Sequence, residues 1–477
     1  MKTYGRKDLP ESAGVVILGG GLAGCAALLA AVEDGHDAIL LEATRDIGGS
    51  TVLSSGLSAY AGTDEQAEQG ITDSLDLLRD DILATGKGHC DPELVDLYVE
   101  NSIDTYRWLK GHGVRYGHVH AASGQTVPRS HPTDTSRMLE LLIEAAEPLG
   151  GRVFLGVRAE RLIREDGRVT GVRIESARDT VVRAGAVVIA TGGFSMNRDL
   201  LDRFAPGMAK AFTAGGAGNQ GDGLLMGWDL GAGVIDTPWI RGTYGIYPSD
   251  HVGEHGTGIH AIYKGGIAVN AEARRFCDES LPYKVVGDHS LAQTDGITHQ
   301  IFDQRVLDAA DDEVAIFDFR GRLALGMLEQ SDTLEGLAEK LGIDGETLAA
   351  TVADYNRRVT AGEPDEFGRQ YQAGGAGELF PLDTPPFYAH PSGTVVLATY
   401  CGLTVDTDMQ VLDVFYEPIQ GLYAAGEVIG GFHGAGYMTG TSIGKSGIFG
   451  RIAGQRAGAY AAGHTSGSDN ADEGASA

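Results

Sequence analysis

Three glycines and one glutamate near the start of the chain have the types and spacing of a dinucleotide-binding site. They are Gly19, Gly21, Gly24 and Glu42. Gly19 permits a tight turn, Gly21 lets a pyrophosphate approach the backbone, and Gly24 lets a helix pack closely on a strand. Glu42 can accept hydrogen bonds from both hydroxyls of an adenosine ribose. These four residues therefore predict a bound dinucleotide.

The residues around this motif predict the βαβ unit that would position it. Apolar runs at 14–18 and 38–41 predict strands, and the alanine-rich run CAALLAAVEDG between them predicts a helix whose first N–H groups face the phosphates. We find no second GxGxxG unit with an acidic partner further along the sequence. This favours one tightly held FAD over FAD together with NAD(P)H.

A second glycine-rich stretch begins at residues 432–445, FHGAGYMTGTSIGK. It leads into a predicted helix that carries six glycines on one face, at Gly440, Gly444, Gly447, Gly450, Gly454 and Gly458. Glycine inside a helix costs about 1 kcal/mol relative to alanine, so other groups are expected to approach this face closely. Helix–helix packing is the expected reason at Gly454 and Gly458.

The distribution of these patterns predicts an α/β fold with two domains. A Rossmann-like FAD-binding domain is expected from both chain ends, residues 1–237 and 399–463, because a dinucleotide-type pattern returns at 421–427. An inserted α+β capping domain is expected over 238–398. Its Pro-rich exit, FPLDTPPFYAHP, is typical of a hinge, and the polar tail 464–477 is expected to be disordered.

Composition excludes several classes of partner. The formal net charge of −29 disfavours binding to nucleic acid or to an anionic membrane surface. Four scattered cysteines support neither a disulfide framework nor a metal site, and no apolar stretch approaches the length of a membrane span. A cytoplasmic protein is expected.

Six motifs lie between residues 15 and 431: VVILGGGLAG, DIGGST, VVIATGG, GNQGDG, AVNAEARRFCDES and GLYAAGEVIGG. With them the chain resembles the flavoprotein family that contains fumarate reductase and succinate dehydrogenase flavoproteins together with 3-ketosteroid dehydrogenases. The resemblance implies FAD contacts at Leu22, Ala23, Ala43, Gly49, Ser50, Thr51, Ser55, Gly56, Ala159, Ala190, Thr191, Gly192, Asn219, Asp222, Gly426, Glu427, Ser442 and Ile443.

The resemblance also implies how the flavin is held. The glycine-striped helix would direct its N-terminus at the pyrimidine end of the flavin, with its glycines admitting the ring system and neighbouring backbone. Its dipole would stabilise the anionic reduced flavin. Members that bind FAD covalently carry a histidine in the region where this chain reads STVLSSGLSAYAG. That stretch contains neither His nor Cys, so FAD is expected to be non-covalent.

The charged groups that bind fumarate in this family are absent at the corresponding positions. Four residues after the acid of RFCDE, where the family has its protonating arginine, this chain has Tyr283. The second substrate arginine corresponds to Tyr437, and the family's histidine lies near Ala398. The acid and arginine that relay protons correspond to Ile259 and Ile262. The chain therefore resembles the ketosteroid dehydrogenase branch more closely.

That branch implies the removal of two hydrogens beside a ketone. Tyr283 would take the α proton, and the Tyr437 hydroxyl with the N–H of Gly440 or Thr441 would stabilise the enolate, while FAD accepts the β hydride. The expected enzyme is an FAD-dependent dehydrogenase, a desaturase of a steroid or of an alicyclic ketone such as cyclohexanone or 4-oxocyclohexanecarboxylate, or it runs the reverse reaction. Oxygen, a quinone or a carrier would accept the electrons.

Two other classes stay open at this point. One is an enoate reductase or a tri- or dicarboxylate dehydrogenase of the fumarate reductase type, in which Arg241 or Arg129 would clamp a carboxylate. The other is a non-catalytic electron-transfer flavoprotein. For both arginines a surface or salt-bridge role is an equal alternative. Further substrate contacts are expected from Thr439, Tyr244, Arg241, Arg129 and His433, and no metal ligands are expected.

Overall fold

The computed structural model describes residues 2–175, 180–248, 258–312, 314–373 and 377–465. Its strands are β1 Thr3–Tyr4, β2 Ser12–Leu18, β3 Ala38–Glu42, β4 Leu57–Ala59, β5 Ser130–Pro132, β6 Arg152–Leu155, β7 Ala159–Glu165, β8 Arg168–Ile174, β9 Val181–Ile189, β10 Phe212–Thr213, β11 Val234–Ile235, β12 Thr243–Ile246, β13 Ile267–Val269, β14 Thr298–Asp303, β15 Glu329–Ser331, β16 Phe387–Val396, β17 Gly402–Leu403, β18 Gln410–Leu412 and β19 Pro418–Ala424.

Its α-helices are α1 Leu22–Glu33, α2 Asp64–Glu68, α3 Leu75–Thr85, α4 Pro92–Gly111, α5 Thr135–Ala146, α6 Arg198–Phe204, α7 Asp222–Asp229, α8 Tyr283–Leu291, α9 Gln304–Asp308, α10 Phe319–Ala324, α11 Leu334–Leu341, α12 Gly345–Ala361 and α13 Thr441–Thr465. Among the described residues we find no helix whose length and apolar character would let it cross a bilayer.

The chain divides into two compact units. The first unit comprises residues 1–200, 215–240 and 398–477, and the second comprises 201–214 and 241–397. The predicted insertion, 238–398, has nearly the same ends, whereas 201–214 had been assigned to the other domain. Helix α13 continues through Thr465, so the first two residues of the predicted disordered tail are helical. The rest of that tail lies outside the described residues.

The first unit contains a nine-stranded sheet whose central strands are parallel. Its order is β1-β6-β3-β2-β9-β19-β18, with β8 paired to β9 and β7 paired to β8. The strands from β1 to β19 in this order run parallel, and the residues of β2 from Val15 to Leu18 are buried because both faces of such a sheet are covered. The predicted strand–helix–strand unit is confirmed as β2, α1 and β3.

Glycines on α13 bring its backbone against α1. A side-chain carbon on Gly450 would lie 2.3 Å from the carbonyl oxygen of Ala23, and one on Gly454 would lie 2.2 Å from that of Ala27. Real carbon atoms do not approach this closely, so these two positions require glycine. The helix–helix packing predicted at Gly454 is confirmed, and Gly450 serves the same contact.

The second unit is built on a six-stranded sheet with β16 at its centre. Strands β10, β12, β14 and β15 all pair with β16, and β13 pairs with β14. The prediction of a hinge at 380–391 is therefore wrong for residues 387–391. The prolines predict a break in regular structure when only the local sequence is considered. In the structure β16 is held by its pairing with β14, whose paired residues lie 84 to 94 positions earlier in the chain.

Candidate active site

The turn after β2 is shaped by close contacts of the backbone with itself. Gly19 has φ +109°, and a side-chain carbon there would lie 2.4 Å from the carbonyl oxygen of Ala190. A side-chain carbon on Gly24 would lie 1.9 Å from the carbonyl oxygen of Gly19. Around Gly21 no protein atom comes closer than 3.5 Å to the corresponding position. The fold therefore does not itself need glycine at 21, and a ligand at the backbone accounts for it.

Glu42 ends β3 with its carboxylate held in place. Its Oε2 accepts a hydrogen bond from Gly20 N–H at 2.6 Å, and its Oε1 accepts from the N–H and the hydroxyl of Thr44 at 2.7 Å each. Strands β3, β2, β9 and β19 are parallel neighbours, so Glu42 and the loops at 190–192 and 426–427 follow the same edge of the sheet. Ligands bind at this edge in open α/β sheets.

A buried polar cluster lies at that edge around Glu427. Its carboxylate accepts from Thr399 N–H at 2.9 Å and from Asn219 Nδ2 at 3.4 Å. Asn219 Nδ2 also donates to the hydroxyls of Ser50 and Ser195, at 3.2 and 3.0 Å, while its Oδ1 is buried without a hydrogen bond. Burial raises the pKa of Glu427. A polyhydroxylated group such as the ribityl chain of FAD would supply the donor that Asn219 Oδ1 lacks.

Two of the predicted cofactor residues make contacts with other protein groups. Thr51 Oγ1 accepts the Leu22 N–H at 3.1 Å and so caps the first turn of α1. Asp222 forms a two-pronged pair with Arg158, at 2.6 and 2.7 Å. Because Arg158 precedes β7, this pair fixes the strand that begins at Ala159. The carboxylate of Asp222 is thus engaged by Arg158, and its role as a cofactor contact stays a prediction.

Tyr437 and Gly440 lie where α13 begins. Gly440 N–H donates to the Tyr437 hydroxyl at 3.2 Å. Burial raises the pKa of Tyr437, so the hydroxyl stays protonated. Thr441 is fully buried, and its N–H and hydroxyl both donate to the carbonyl of Met438, at 3.2 and 2.6 Å. Of the two predicted backbone donors, only Gly440 adjoins the tyrosine, and the prediction for Thr441 is wrong.

Two further aromatic rings surround Tyr437. The ring of Tyr400 stacks on it, with centroids 5.2 Å apart and 23° between the planes. His433 is buried and meets Tyr400 edge to face at 4.8 Å and Tyr437 at 5.4 Å. Thr439 makes backbone hydrogen bonds to Ser123 and Gln125 beside this cluster. The predicted residues Tyr437, His433 and Thr439 are therefore brought together with Tyr400, which sequence reasoning missed.

Two predicted substrate contacts are buried in protein interiors. Arg129 is 0% exposed and ion-pairs with Asp73 at 2.7 Å and with Asp81. Tyr244, in the second unit, is also 0% exposed, and its hydroxyl lies 2.9 Å from Thr298 Oγ1. Neither side chain presents a group to a ligand, so both predictions are wrong. For Arg129 the salt-bridge alternative is the one observed.

Tyr283 begins α8 in the second unit and is half-buried. Its ring stacks on His260, with centroids 5.3 Å apart and 28° between the planes. Burial lowers the pKa of His260 to about 4, so this imidazole is neutral, and its Nε2 lies 3.0 Å from the Tyr244 carbonyl oxygen. Arg241 lies 3.5 Å from Asp288 and is partly exposed. That Tyr283 acts on the same substrate as Tyr437 stays a prediction.

A buried ion network holds the loop that leads to Tyr283. Arg275 pairs with Glu279 at 2.6 Å and with Asp365 at 2.6 Å, and Arg369 pairs with Glu279 at 3.2 Å. Arg369 also donates to the carbonyl of Gly266 at 2.9 Å. Sequence reasoning missed Arg369 and Asp365 because they lie about 90 positions from Glu279 and belong to no motif.

The family of the chain follows from comparison with known proteins. A family described as FAD binding domain matches residues 14–443. The chain belongs to this FAD-binding family. The flavoprotein is 31% identical over 461 residues to a probable fumarate reductase, Ifc3, of Shewanella frigidimarina, covering 94% of this chain and 76% of that protein.

Two other relatives are also named as reductases. Urocanate reductase of Eggerthella lenta is 31% identical, over 95% of this chain and 76% of its own length. Vinyl phenol reductase of Lactiplantibacillus plantarum is 28% identical, over 94% of this chain and 97% of its own length.

Among solved structures, the open conformation of a flavocytochrome c3 fumarate reductase matches 95% of this chain and 79% of its own, with a TM-score of 0.82 and 29% identity. A 3-ketosteroid-delta4-(5alpha)-dehydrogenase from Rhodococcus jostii covers 96% of this chain and 100% of its own, with a TM-score of 0.75 and 25% identity. The fold and FAD as cofactor are confirmed.

These relatives overturn the predicted reaction. The curated relatives are reductases of fumarate, urocanate and vinyl phenol, whereas ketosteroid dehydrogenases occur among the more distant structural neighbours. The prediction of a ketone desaturase is therefore wrong. It relied on tyrosines at two positions, and a tyrosine hydroxyl can polarise an oxygen or deliver a proton in either kind of reaction. Non-covalent attachment of FAD stays a prediction.

Proposed function

We propose that this flavoprotein reduces a carbon–carbon double bond that is conjugated to an electron-withdrawing group, as an enoate-type reductase. The observation that carries the proposal is the pairing of the Tyr437 hydroxyl with the Gly440 N–H, 3.2 Å apart, at the start of α13 in a chain whose relatives are reductases. FAD, for which Gly21, Glu42 and Glu427 provide the contacts, supplies a hydride to such a bond when it is reduced.

The residues at the start of α13 would polarise the double bond. When a nucleophilic hydride adds to the β carbon, negative charge develops on the oxygen of the conjugated group. The Tyr437 O–H, which burial keeps protonated, would donate to that oxygen, and the Gly440 N–H holds the tyrosine oxygen in place by donating to it. The positive end of the α13 dipole favours the same charge. Both groups are neutral, so the activating group would be held by a hydrogen bond and not by an ion pair.

The α carbon then needs a proton. We propose Tyr283 as its donor, because it stands at the position of the family's protonating arginine and because its ring is held by the stack on His260. One hydride and one proton complete the saturated product, and the resulting phenolate regains its proton from water. Removal of the Tyr283 hydroxyl in Tyr283→Phe should lower turnover by about 100-fold or more, as loss of a general acid does.

The reduction half-reaction can be tested without the physiological electron donor. The purified yellow protein is photoreduced anaerobically and mixed with acrylate, fumarate, urocanate or 4-vinylphenol while flavin absorbance is followed. At least one of these compounds should reoxidise the flavin rapidly. Tyr437→Phe should slow that step by about 100-fold, the effect of deleting one such donor. Tyr371→Phe, at an exposed tyrosine of the second unit, is the matched control and should leave the rate unchanged.

If none of the four compounds reoxidises the reduced protein, the proposal is overturned. It is also overturned if cyclohexanone bleaches the oxidised protein, because the chain would then be removing hydrogens from a ketone.

A further inference from the structure

Tyr400 has a backbone conformation that few tyrosines adopt. Its φ is +56°, and the Cys401 N–H donates to the Thr399 carbonyl oxygen at 2.6 Å, which closes a three-residue turn around it. Turns of this kind are rare and strained for a residue with a side chain. Strained residues persist where the surrounding structure over-determines them, and they concentrate at functional sites.

The chain on both sides of Tyr400 is fixed. Thr399 donates its N–H to Glu427 at 2.9 Å. On the other side, a side-chain carbon on Gly402 would lie 2.0 Å from the carbonyl oxygen of Val428, so β17 is pressed against the loop that carries Glu427. Because these two contacts are made with Glu427 and Val428, which are neighbours in one loop, the turn places the ring of Tyr400 at a defined position relative to Glu427.

That place is beside the proposed hydrogen-bond donor, the Tyr437 hydroxyl. The Tyr400 ring stacks on Tyr437 at 5.2 Å, and His433 meets both rings edge to face. Both tyrosines are half-buried, whereas His433 is 4% exposed. The first unit therefore places the stacked rings of Tyr400 and Tyr437 together, with the imidazole of His433 in edge-to-face contact with both.

We infer that Tyr400 is a specificity-determining residue, and that the flavoprotein favours an alkene with a flat unsaturated ring attached next to the double bond. The inference rests on the proposed function. An aromatic ring gains from an offset or edge-to-face contact with another ring beyond the simple burial of its area. A short acceptor such as acrylate or fumarate has no group that makes this contact. The strained turn would thus hold the aromatic ring of Tyr400 in position to contact the unsaturated ring of the substrate.

The inference is tested by binding alone, with saturated compounds that the enzyme cannot reduce. The probes are 3-phenylpropionate and propionate, titrated into the oxidised holoenzyme while the flavin spectrum is followed. The wild type should bind 3-phenylpropionate about tenfold more tightly than propionate, as one aromatic contact allows. Tyr400→Phe keeps the ring and should keep the preference. Tyr400→Asn removes the ring at a conformation that asparagine tolerates, and should reduce the preference to about twofold.

Kinetics provide a second readout with whichever alkene is reduced. In Tyr400→Asn, KM for a ring-bearing alkene should rise about tenfold with little change in kcat, since a lost binding contact acts on both ground and transition states. KM for acrylate should stay the same. If the substitution affects ring-bearing and ring-free compounds equally, Tyr400 is structural and the inference fails.

Failure of the inference and failure of the proposed function are distinguishable. If the holoenzyme reduces no alkene, the proposed function falls, while the preference for 3-phenylpropionate and its loss in Tyr400→Asn still test the binding face. If alkenes are reduced but the wild type shows no preference for the ring, only the inference falls. Should Tyr400→Asn fail to retain FAD, Tyr400→Gly, which also accepts positive φ, replaces it.

Discussion

Each of the two units of this flavoprotein is stabilised internally by a different kind of contact. In the first unit, α1 and α13 touch through glycines, and a side-chain carbon on Gly450 or Gly454 would collide with the backbone of α1. In the second unit, the loop before Tyr283 is held by the buried charges of Arg275, Glu279 and Arg369. The glycine contact tolerates no added atom, whereas the ion network tolerates no lost charge. The first unit is therefore sensitive to substitutions that add atoms to these glycines. The second unit is sensitive to substitutions that remove one of the buried charges.

The largest effect is expected from breaking the ion network. Arg275→Met leaves Asp365 without its arginine in a buried site, and loss of one partner of a buried pair costs about 3–5 kcal/mol. Urea unfolding measures the loss of stability. In the variant, the rate of amide hydrogen exchange should increase over that of the wild type more in β13, β14 and α12 than in β2 and β3. Arg357→Met, which removes an exposed pair with Asp354, is the control and should cost at most about 1 kcal/mol. Equal losses in the two variants would contradict the comparison.

A pH-dependent effect is expected from His260 in the second unit. Its pKa of about 4 in the folded protein lies below the ordinary value of 6.5. Between these values the unfolded chain binds a proton that the folded chain does not, so stability is lost as pH falls from 6.5 towards 4. The full difference is on the order of 3 kcal/mol.

The measurement is the stability difference between wild type and His260→Leu across that range of pH. As pH falls, the free energy of unfolding of the wild type should decrease relative to that of His260→Leu. Only the wild type has an imidazole that takes up a proton on unfolding. A difference that is independent of pH would show that His260 is not held neutral.

Adding one methyl group to α13 tests the glycine contact of the first unit. Gly450→Ala should destabilise the protein by roughly 1–3 kcal/mol, because the new carbon meets the Ala23 carbonyl. Gly447→Ala on the same helix is the matched control, since no atom lies closer than 3.8 Å to its added carbon. The control should be neutral or stabilise by up to about 1 kcal/mol. Thermal unfolding of the two holoenzymes compares them, and equal behaviour would rule out the close contact.

The smallest expected effect is on FAD affinity, and it compares Asn219 in the buried polar cluster with Asp222 in the pair with Arg158. Asn219→Ala should weaken FAD binding about tenfold, because it removes hydrogen bonds around Glu427. Asp222→Ala should change FAD affinity by no more than about twofold, since its carboxylate is occupied by Arg158. Titration of the apoprotein with FAD measures both constants. A larger loss in Asp222→Ala would support Asp222 as a cofactor contact.

Elements defined by local pattern were predicted closely. The strands expected at 14–18 and 38–41 are β2 Ser12–Leu18 and β3 Ala38–Glu42 in the structure. The tight turn at Gly19 and the close packing at Gly24 were predicted correctly, because each depends on neighbours of the first βαβ unit, whereas the approach of a pyrophosphate to Gly21 stays a prediction. Prediction failed where a residue's partners are distant in sequence. Arg129 looked available for a carboxylate until the fold placed Asp73 and Asp81 against it.

The sequence by itself determined the FAD-binding βαβ unit, the insertion between the chain ends and the presence of Tyr437 before a glycine-striped helix. Only the tertiary structure decided that β16 is a central strand, that Tyr244 is core, and that Tyr400 adopts a left-handed turn against Tyr437. The physical reason is the range of the interactions. Periodicity and glycine turns act over a few residues, whereas strand pairing, burial and ring contacts join residues that only folding brings together.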